Sequence, residues 1–363
     1  MKICMLSSST GWGGLERNLV RYALWMSELG HEVEVNCVPE SPLATAVLNH
    51  PISVRFIQRQ RRYYPWKEAL ELRKYLKKKA FEFLWIRDPR DLSLCSAAVR
   101  RTSTHFIFHQ GMQILHPKRS PLHKLRFQPI DAWVAPLMQL QEQIRLNTPV
   151  SEDKIHVIPL ALEDEWFDER THSKSQARAA LSLPEKAKIA GLFGRIDSLK
   201  GQETLIHALK STKDEHWHAL FIGENTPNEP GDEQMRLKML SQKLQLAHRV
   251  HWRSPSEDLK TAYDACDAYT MCSNSETIGM VTLEAMARKI PIAGTRSGGT
   301  PELLDFGKMG VLFEPTNSKQ LAGLLDDLSS WPVASDQYLK PFRKSEVIEK
   351  WSALLQNLRK SAS

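Results

Sequence analysis

Two glutamates lie eight positions apart in the segment SNSETIGMVTLEAMA, and their spacing is the strongest chemical signal in the sequence. Glu276 lies among Ser, Asn, Thr and Gly residues typical of a turn, whereas the strong helix formers that follow predict a helix beginning near Gly279. Glu284 would lie in its first turns, and the backbone amides from Gly279 to Thr282 would point at an anion. Because carboxylates are unfavourable neighbours for phosphate, we expect both glutamates to accept hydrogen bonds from sugar or ribose hydroxyls.

A second turn carries two cations. The segment GLFGRIDSLKGQETLI places Arg195 just after an apolar run and Lys200 five residues further on, before an amphipathic stretch. Arginine can grip two phosphate oxygens and lysine adds a point charge, so the pair suits a diphosphate. Solvated cations are also common at strand ends, and this alternative stays open.

A third turn, SSSTGWGGLER, contains Gly11, Gly13 and Gly14 directly before a predicted helix. Glycines allow a ligand to approach the backbone closely, and a helix N-terminus favours anions. The run does not have the form G-x-G-x-x-G, which argues against a dinucleotide site. A plain tight turn is the alternative.

The rest of the chain supplies the elements that would position these turns. Short apolar runs alternate with amphipathic stretches such as LERNLVRYALWMSEL, in which Leu15, Leu19, Ala23 and Met26 recur at helical spacing. Strands separated by helices pair in parallel and need crossover helices, which predicts doubly wound α/β sheets. The runs expected as strands are ICML, VEVNCV, SVRFI, FLWI, HFIFH, AWVAP and KIHVIPL, and then KIAGLFG, HALFIG, RVHW, AYTMC, IPIAG and GVLFE.

A length of 363 residues exceeds what one core usually organises, so we expect two domains. The strand and helix alternation breaks at LEDEWFDERTHSKSQARAALSLPEKA, where we place the connection between them. We predict one domain over residues 1–160 and a second over 161–345. A C-terminal helix follows over 346–363, for which a return to the N-terminal domain is one option.

Composition narrows the functional class. Five scattered cysteines predict reduced core residues, and the apolar run at the N-terminus is too short for a signal or membrane segment, so we expect a cytoplasmic protein.

The net charge is +7, but residues 55–80 hold ten Lys or Arg against two Glu. Because the excess is confined to one segment, general nucleic-acid affinity is disfavoured. Tyr63, Tyr64, Trp66 and Tyr75 lie among these cations, which favours an anionic membrane surface; a solvated helix face is the alternative.

These segments together resemble the family 4 retaining glycosyltransferases, which have the GT-B fold of two Rossmann-like domains facing a central cleft. The two glutamates resemble that family's E-x7-E signature, STGWGGLERNL its N-terminal glycine loop, VIPLALEDEWF its entry into the second domain, and GRIDSLKG its phosphate segment. The sequence departs from the family at Leu160–Glu163, where Asn-Gly-Val-Asp is common. It also departs at Thr277, where Gly or Pro is frequent, and at Ile278, where an aromatic residue is usual. Both positions bear on the choice of sugar.

The resemblance implies an N-terminal acceptor-binding domain and a C-terminal donor-binding domain. It implies that Glu276 contacts the transferred sugar and that Glu284 binds the ribose. A histidine that contacts the sugar in the family matches His109 at the end of HFIFH; a structural histidine is the alternative. The remaining residues implied for the donor are Gly13, Gly14, Arg195, Lys200, Arg253, Ser254, Gly279, Met280, Val281 and Thr282.

The reaction implied is transfer of a hexose-type sugar from a nucleoside-diphosphate sugar, with UDP favoured, to a hydroxyl acceptor. The acceptor is expected to be a lipid-linked, lipopolysaccharide or capsule saccharide of a bacterium. The sequence has no evident D-x-D motif, which agrees with a site that needs no metal or other cofactor. A GT-B epimerase, a sugar phosphorylase and a basic nucleic-acid-binding protein are the rival functions, and none has a supporting motif.

Overall fold

The computed structural model describes residues 1–59, 65–170, 172–226, 231–255 and 258–361, and the chain divides into two compact units. Unit 1 comprises residues 1–160 together with 345–363, and unit 2 comprises residues 161–344. The chain therefore leaves unit 1 after Leu160 and returns to it after Lys344. Each unit contains one parallel sheet with helices between its strands.

In unit 1 the strands are β1 Lys2–Ser7, β2 Glu32–Cys37, β3 Ser53–Phe56, β4 Phe83–Ile86, β5 His105–His109, β6 Ala132–Ala135 and β7 Ile155–Val157. The intervening helices are α1 Gly14–Glu28, α2 Pro42–Leu48, α3 Trp66–Lys79, α4 Leu92–Val99, α5 Pro121–Phe127 and α6 Met138–Asn147. The strands pair in parallel in the order β3-β2-β1-β4-β5-β6-β7. The direction of the order reverses between β1 and β4, which is where such sheets bind ligands.

In unit 2 the strands are β8 Lys188–Phe193, β9 Trp217–Ile222, β10 Val250–Arg253, β11 Ala268–Met271, β12 Ile292–Thr295 and β13 Val311–Phe313. The helices are α7 Lys174–Ala180, α8 Gln202–Ser211, α9 Glu233–Lys243, α10 Leu259–Asp264, α11 Met280–Ala287, α12 Thr300–Leu303, α13 Ser318–Asp326, α14 Asp336–Leu339 and, crossing into unit 1, α15 Lys344–Ser361. The strand order β10-β9-β8-β11-β12-β13 reverses between β8 and β11. The predicted fold, two doubly wound parallel sheets, is confirmed.

The central strands are fully buried because helices cover both faces of each sheet. Every residue of β4 and of β11 is buried, as the uninterrupted apolar runs FLWI and AYTM indicate. All five cysteines are free and buried. No helix in the described part of the chain is both long enough and apolar enough to span a membrane.

The segment predicted to connect the domains instead packs onto unit 2. Leu162, Ala177 and Leu183 are part of its buried core, and Trp166 and Phe167 pack against that core. The sequence suggested a linker because charged residues surround these few apolar side chains and obscure their periodicity. The boundary between the two units lies directly before this segment, at Leu160.

Candidate functional site

The loops that follow β8 and β11 lie at the switch point of the sheet in unit 2. Both loops leave the carboxyl ends of neighbouring parallel strands, so they lie at the same edge of the sheet. They carry the two cations and the two glutamates that the sequence singled out. The geometry of this edge decides what it can bind.

The loop after β8 presents Arg195 to solvent and fixes its backbone. The Arg195 side chain is 54% exposed, and its Nη2 lies 3.8 Å from Asp197 Oδ2. Gln202, which is buried, donates from Nε2 to the Arg195 carbonyl at 2.9 Å. Asp197 Oδ1 accepts from the amides of Leu199 and Lys200 at 3.0 and 3.1 Å. The turn is therefore rigid while the Arg195 guanidinium is accessible to a ligand.

Gly201 brings this turn against the end of β11. It lies just before α8 with a φ of +77°, in the left-handed region that favours glycine. A Cβ at this position would overlap the carbonyl oxygen of Cys272. Only glycine therefore allows the preceding residue, Lys200, to lie this close to the loop after β11.

Lys200 and Glu276 form the central contact of the site. Lys200 Nζ lies 2.6 Å from Glu276 Oε2, and the two side chains are 23% and 17% exposed. The loops also join through their backbones, because the Asn274 amide donates to the Leu199 carbonyl at 2.8 Å. The structure thus brings together a cation and a carboxylate that are 76 residues apart in sequence. Their direct pairing was not predicted.

Helix α11 begins directly after the turn that contains Glu276. Gly279 precedes it with a φ of +80°, and the Thr282 amide donates back to the Gly279 carbonyl at 2.9 Å. The Thr282 amide is thereby satisfied within the turn. The amides of Met280 and Val281 belong to the first turn, whose donors have no acceptor inside the helix, so they are suited to an anion.

Glu284 is held by a tyrosine that the sequence analysis missed. The Tyr263 hydroxyl lies 2.8 Å from Glu284 Oε2 and 3.0 Å from the Val281 carbonyl. Burial and the Glu284 carboxylate hold the pKa of Tyr263 well above its usual range, so the phenol keeps its proton and donates. Tyr263 lies on α10, and no sequence motif marks it. Glu284 is 8% exposed, so its orientation is fixed before a hydroxyl reaches it.

The side chain of Arg253 has a structural role at the end of β10. Its guanidinium donates to the Leu181 carbonyl at 3.0 Å and to the Trp252 carbonyl at 2.8 Å. The Arg253 carbonyl accepts from Gly223, and Ser254 is exposed. The donor contact predicted for this loop would therefore come from backbone atoms or from Ser254.

Of the residues predicted in unit 1, Gly13 and Gly14 follow β1 at the switch point, whereas His109 ends β5, one strand beyond β4. The Gly13 amide donates to Glu16 Oε2 at 2.9 Å, and Gly14 is the first residue of α1. His109 ends β5 with no exposed surface, and its ring centre lies 5.0, 5.9 and 5.0 Å from those of Tyr22, Trp85 and Trp351. Burial, and secondarily Arg87, hold the pKa of His109 well below its usual range. The ring is thus neutral and enclosed within unit 1, and its contact with a sugar stays a prediction.

Across the described ranges, no three His, Cys, Asp or Glu side chains come together in a way that could hold a metal ion.

The parts of the chain that match known sequence families correspond closely to the two units of the structure. Residues 12–166 match the family described as Glycosyltransferase Family 4, and residues 173–341 match Glycosyl transferases group 1. A D-inositol 3-phosphate glycosyltransferase of Corynebacterium jeikeium is 31% identical over 180 residues, which are 48% of this chain and 43% of the relative. The chain thus matches less than half the length of this curated relative.

Comparison with solved structures supports the fold. A glycosyltransferase from Rickettsia africae has a TM-score of 0.84 at 20% identity, covering 99% of this chain and 98% of that chain. The Anabaena protein HepE in complex with UDP has a TM-score of 0.85 at 21% identity, covering 98% and 100%. The lipopolysaccharide outer core galactosyltransferase WaaB, in its apo form, has a TM-score of 0.73 at 18% identity, covering 100% of both chains. At these identities the likeness shows the two-domain GT-B fold.

Proposed function

We propose, from the premise that this chain belongs to the family 4 glycosyltransferases with the GT-B fold, that it transfers a hexose-type sugar from a nucleoside-diphosphate sugar to a hydroxyl of a saccharide or glycolipid. The reaction retains the configuration at the transferred carbon and uses no metal ion. The pairing of Lys200 with Glu276 beside the first turn of α11 carries this proposal.

The pairing supports a donor site because a diphosphate and Glu276 would compete for the same ammonium group. A diphosphate that is bound by Lys200, Arg195 and the amides of Met280 and Val281 would release the Glu276 carboxylate. The released carboxylate can then accept a hydrogen bond from a hydroxyl of the sugar. Donor binding would thereby prepare the sugar contact.

The charge that develops during transfer falls on the diphosphate. As the bond between the sugar carbon and the phosphate oxygen breaks, Lys200, Arg195 and the helix amides stabilise the departing oxygens. The acceptor oxygen forms its bond to the same carbon on the same face, and its proton passes to the leaving phosphate. No carboxylate of the protein is required as a base.

UDP-glucose is the first donor to test, because HepE has been solved with UDP, with UDP and glucose, and with UDP-glucose. Similar proteins suggest two acceptor classes, an inositol phosphate and a lipopolysaccharide core. Both classes present hydroxyls, and the inositol phosphate also bears an anionic group. We favour the glycolipid class, together with a location at the cytoplasmic face of a membrane.

Titration with UDP and an assay of UDP release from UDP-glucose test the donor site. Lys200→Ala and Glu276→Ala should each lower kcat/KM by about 100-fold, the cost of removing one charged contact to the leaving group or the sugar. Arg195→Ala should weaken UDP binding, whereas Lys210→Ala, at an exposed position near the end of α8, should leave both measurements unchanged. Full activity in the three site variants would disprove the proposal. The anomeric configuration of the product, observed by NMR, tests retention separately.

A membrane surface on α3 accompanies this proposal. Trp66 and Leu70 are 60% and 52% exposed, and they lie at helical spacing with exposed Lys74 and Lys77. Three other residues of the basic segment 55–80 make contacts within unit 1 instead. Arg55 lies 3.8 Å from the centre of the Tyr75 ring, the Tyr75 hydroxyl donates to Glu34, and Arg73 donates to two backbone carbonyls. Tyr63 and Tyr64 lie outside the described residues.

Co-sedimentation with vesicles that contain anionic lipid tests this surface. The double variant Trp66→Ala and Leu70→Ala should weaken binding roughly tenfold, because it removes the two apolar side chains that would insert. Phe306→Ala removes a 73% exposed aromatic side chain from unit 2 and should have no effect. A wild-type protein that stays unbound at low salt would exclude the surface.

A further inference from the structure

Arg87 is a buried arginine that the donor site does not use. It follows β4 in unit 1 and is 2% exposed. Its Nη1 lies 2.6 and 3.0 Å from the two ring nitrogens of His109, so it donates to whichever nitrogen lacks a proton. Its Nε is buried and has no hydrogen-bond partner. Within the described ranges Arg87 takes part in no salt bridge.

The groups around this guanidinium are almost all neutral. His109 is neutral, and the Arg87 Cζ lies 5.8 Å from the centre of the Tyr22 ring. The carboxylates that follow in sequence have other partners, because Asp88 accepts from the Arg90 amide and Asp91 accepts from Ser8. The Glu16 carboxylate on α1 attracts Arg87 and Arg21 repels it, but neither forms a salt bridge with it. A full positive charge is therefore buried without a direct ion-pair partner.

Such an arrangement costs free energy, and the cost indicates a function. Burial lowers the pKa of Arg87 to about 10, so the guanidinium stays charged at neutral pH. An uncompensated buried charge destabilises a fold by several kcal/mol relative to a well-packed apolar side chain, by the order of magnitude seen for buried ions. Stability alone would favour an apolar residue at this position.

One edge of the guanidinium faces the start of α1. A Cβ on Gly111 would lie 3.5 Å from Arg87 Nη2 and would overlap the Leu15 side chain. The missing side chain of Gly111 thus leaves the space in which Leu15 and Arg87 approach each other. Leu15 and Gly111 are both partly exposed, so a different Leu15 rotamer would connect Arg87 to the surface. The first turn of α1, a 15-residue helix, lies at this point and favours negative charge.

We propose that Arg87 is an anion-recognition residue of unit 1, and that its guanidinium binds a phosphate or carboxylate group of a substrate that enters beside Gly111 as Leu15 moves aside. The planar guanidinium can offer Nη2 and Nε to two oxygens of one anion while Nη1 stays on His109. His109 then positions Arg87. The anion belongs to the acceptor, and the chemistry that Arg87 recognises is that of an oxyanion.

Arg87→Met separates a recognition role from a structural one. Methionine is unbranched and uncharged, so it can fill the space and remove the buried charge. We expect a melting temperature equal to or above that of the wild type, together with at least a tenfold loss of affinity for inorganic phosphate. The probes are inorganic phosphate, titrated at constant ionic strength, and UDP. Lys200→Ala is the matched control, because it removes a cation from unit 2 and leaves Arg87 intact.

Each outcome of the two titrations has a defined meaning. Loss of phosphate binding in Arg87→Met, with binding retained in Lys200→Ala, supports a unit 1 site for an anionic acceptor and does not depend on the proposed transfer reaction. UDP affinity should fall in Lys200→Ala and should stay at the wild-type value in Arg87→Met. Wild-type affinity for inorganic phosphate in Arg87→Met overturns the proposal. If this variant fails to fold, Arg87→Lys decides: it keeps the charge but not the planar fork, and unchanged affinities would overturn the proposal equally.

Discussion

At the residue scale, the two glutamates of the candidate donor site differ in what holds them. Glu276 is paired with the Lys200 ammonium, and Glu284 accepts from the neutral Tyr263 hydroxyl. An anionic ligand can attract the Lys200 ammonium and so weaken its pairing with Glu276. It does not attract the neutral Tyr263 hydroxyl in this way. Glu276 therefore suits a contact that changes when donor binds, and Glu284 suits a fixed contact to the ribose.

Tyr263→Phe tests the fixed contact. Removing the hydroxyl takes away one hydrogen bond that orients Glu284, at a cost of about 1 kcal/mol, so KM for the nucleotide sugar should rise about fivefold. The ribose is distant from the bond that breaks, so kcat should change less than KM. Tyr269→Phe removes another buried hydroxyl of the same core, one that lies by the Phe193 backbone, and should leave KM unchanged. An equal KM in wild type and Tyr263→Phe would show that Tyr263 does not position Glu284.

Asp91 in unit 1 gives a prediction about pH. Burial raises the pKa of this carboxyl from 3.8 to about 7, although Ser8 donates to it from both its amide and its hydroxyl. Because the folded-state pKa lies above the unfolded one, the stabilisation by the bound proton is complete below pH 3.8 and is lost as pH rises through 7. Between pH 5 and 7 the free energy of unfolding should therefore fall, by up to about 1.4 kcal/mol per pH unit.

Asp91→Asn should remove this slope because an amide does not titrate. Thermal unfolding between pH 5 and 8 measures the difference in the free energy of unfolding between Asp91→Asn and wild type. This difference should change across that pH range and level off above it. Asp88→Asn leaves Asp91 intact but removes a nearby charge that helps to raise its pKa, so it should keep the slope and move it slightly towards lower pH. If the free energy of unfolding changed equally with pH in wild type and Asp91→Asn, Asp91 would not be the group that causes the slope.

At the element scale, the sequence predicted the strands well because each is a short apolar run bounded by polar or glycine residues. It also predicted that α11 starts near Gly279. It suggested a connecting segment after Leu162, whereas Trp166 and Phe167 of that segment pack, partly buried, against the core of unit 2 without any periodic pattern. The Lys200–Glu276 and Tyr263–Glu284 contacts could not be predicted, because each joins loops or helices whose spacing is set by the packed sheet.

Gly201→Ala tests whether the turn before α8 must lie against β11. The φ of +77° alone should cost about 1 kcal/mol with alanine, and overlap with the Cys272 carbonyl adds to it because the backbone has to move. We expect a loss of about 2 to 4 kcal/mol in the stability of unit 2 and weaker UDP binding, since Lys200 moves with the turn.

Gly307→Ala is the matched control for this substitution. Gly307 also belongs to unit 2 and has a φ of +107°, but a Cβ at this position would meet no described atom within 4 Å. It should therefore show the backbone strain alone, with UDP affinity unchanged. Equal destabilisation by the two variants would mean that the close approach at Cys272 has no energetic consequence.

At the scale of the whole molecule, the last helix belongs to the unit in which the chain began. Most of α15 follows the return to unit 1 after Lys344, and Trp351 stacks on Trp85 of β4 with their ring centres 4.0 Å apart. Trp351 has no exposed surface and also contacts the rings of Tyr22 and His109. The core of unit 1 is therefore incomplete until the C-terminal helix has folded onto it.

Trp351→Ala should consequently destabilise unit 1 and leave unit 2 as it is. Truncating a fully buried tryptophan costs about 3 to 5 kcal/mol, which corresponds to a fall of roughly 10 °C in the unfolding temperature of a unit of this size. Hydrogen exchange would show the loss of protection in β4 and β5 but not in β8 and β11. Trp331→Ala, which removes a 5% exposed tryptophan from the core of unit 2, should give the opposite pattern. Equal loss of protection in both sheets for each variant would instead mean that the two units unfold as one cooperative body.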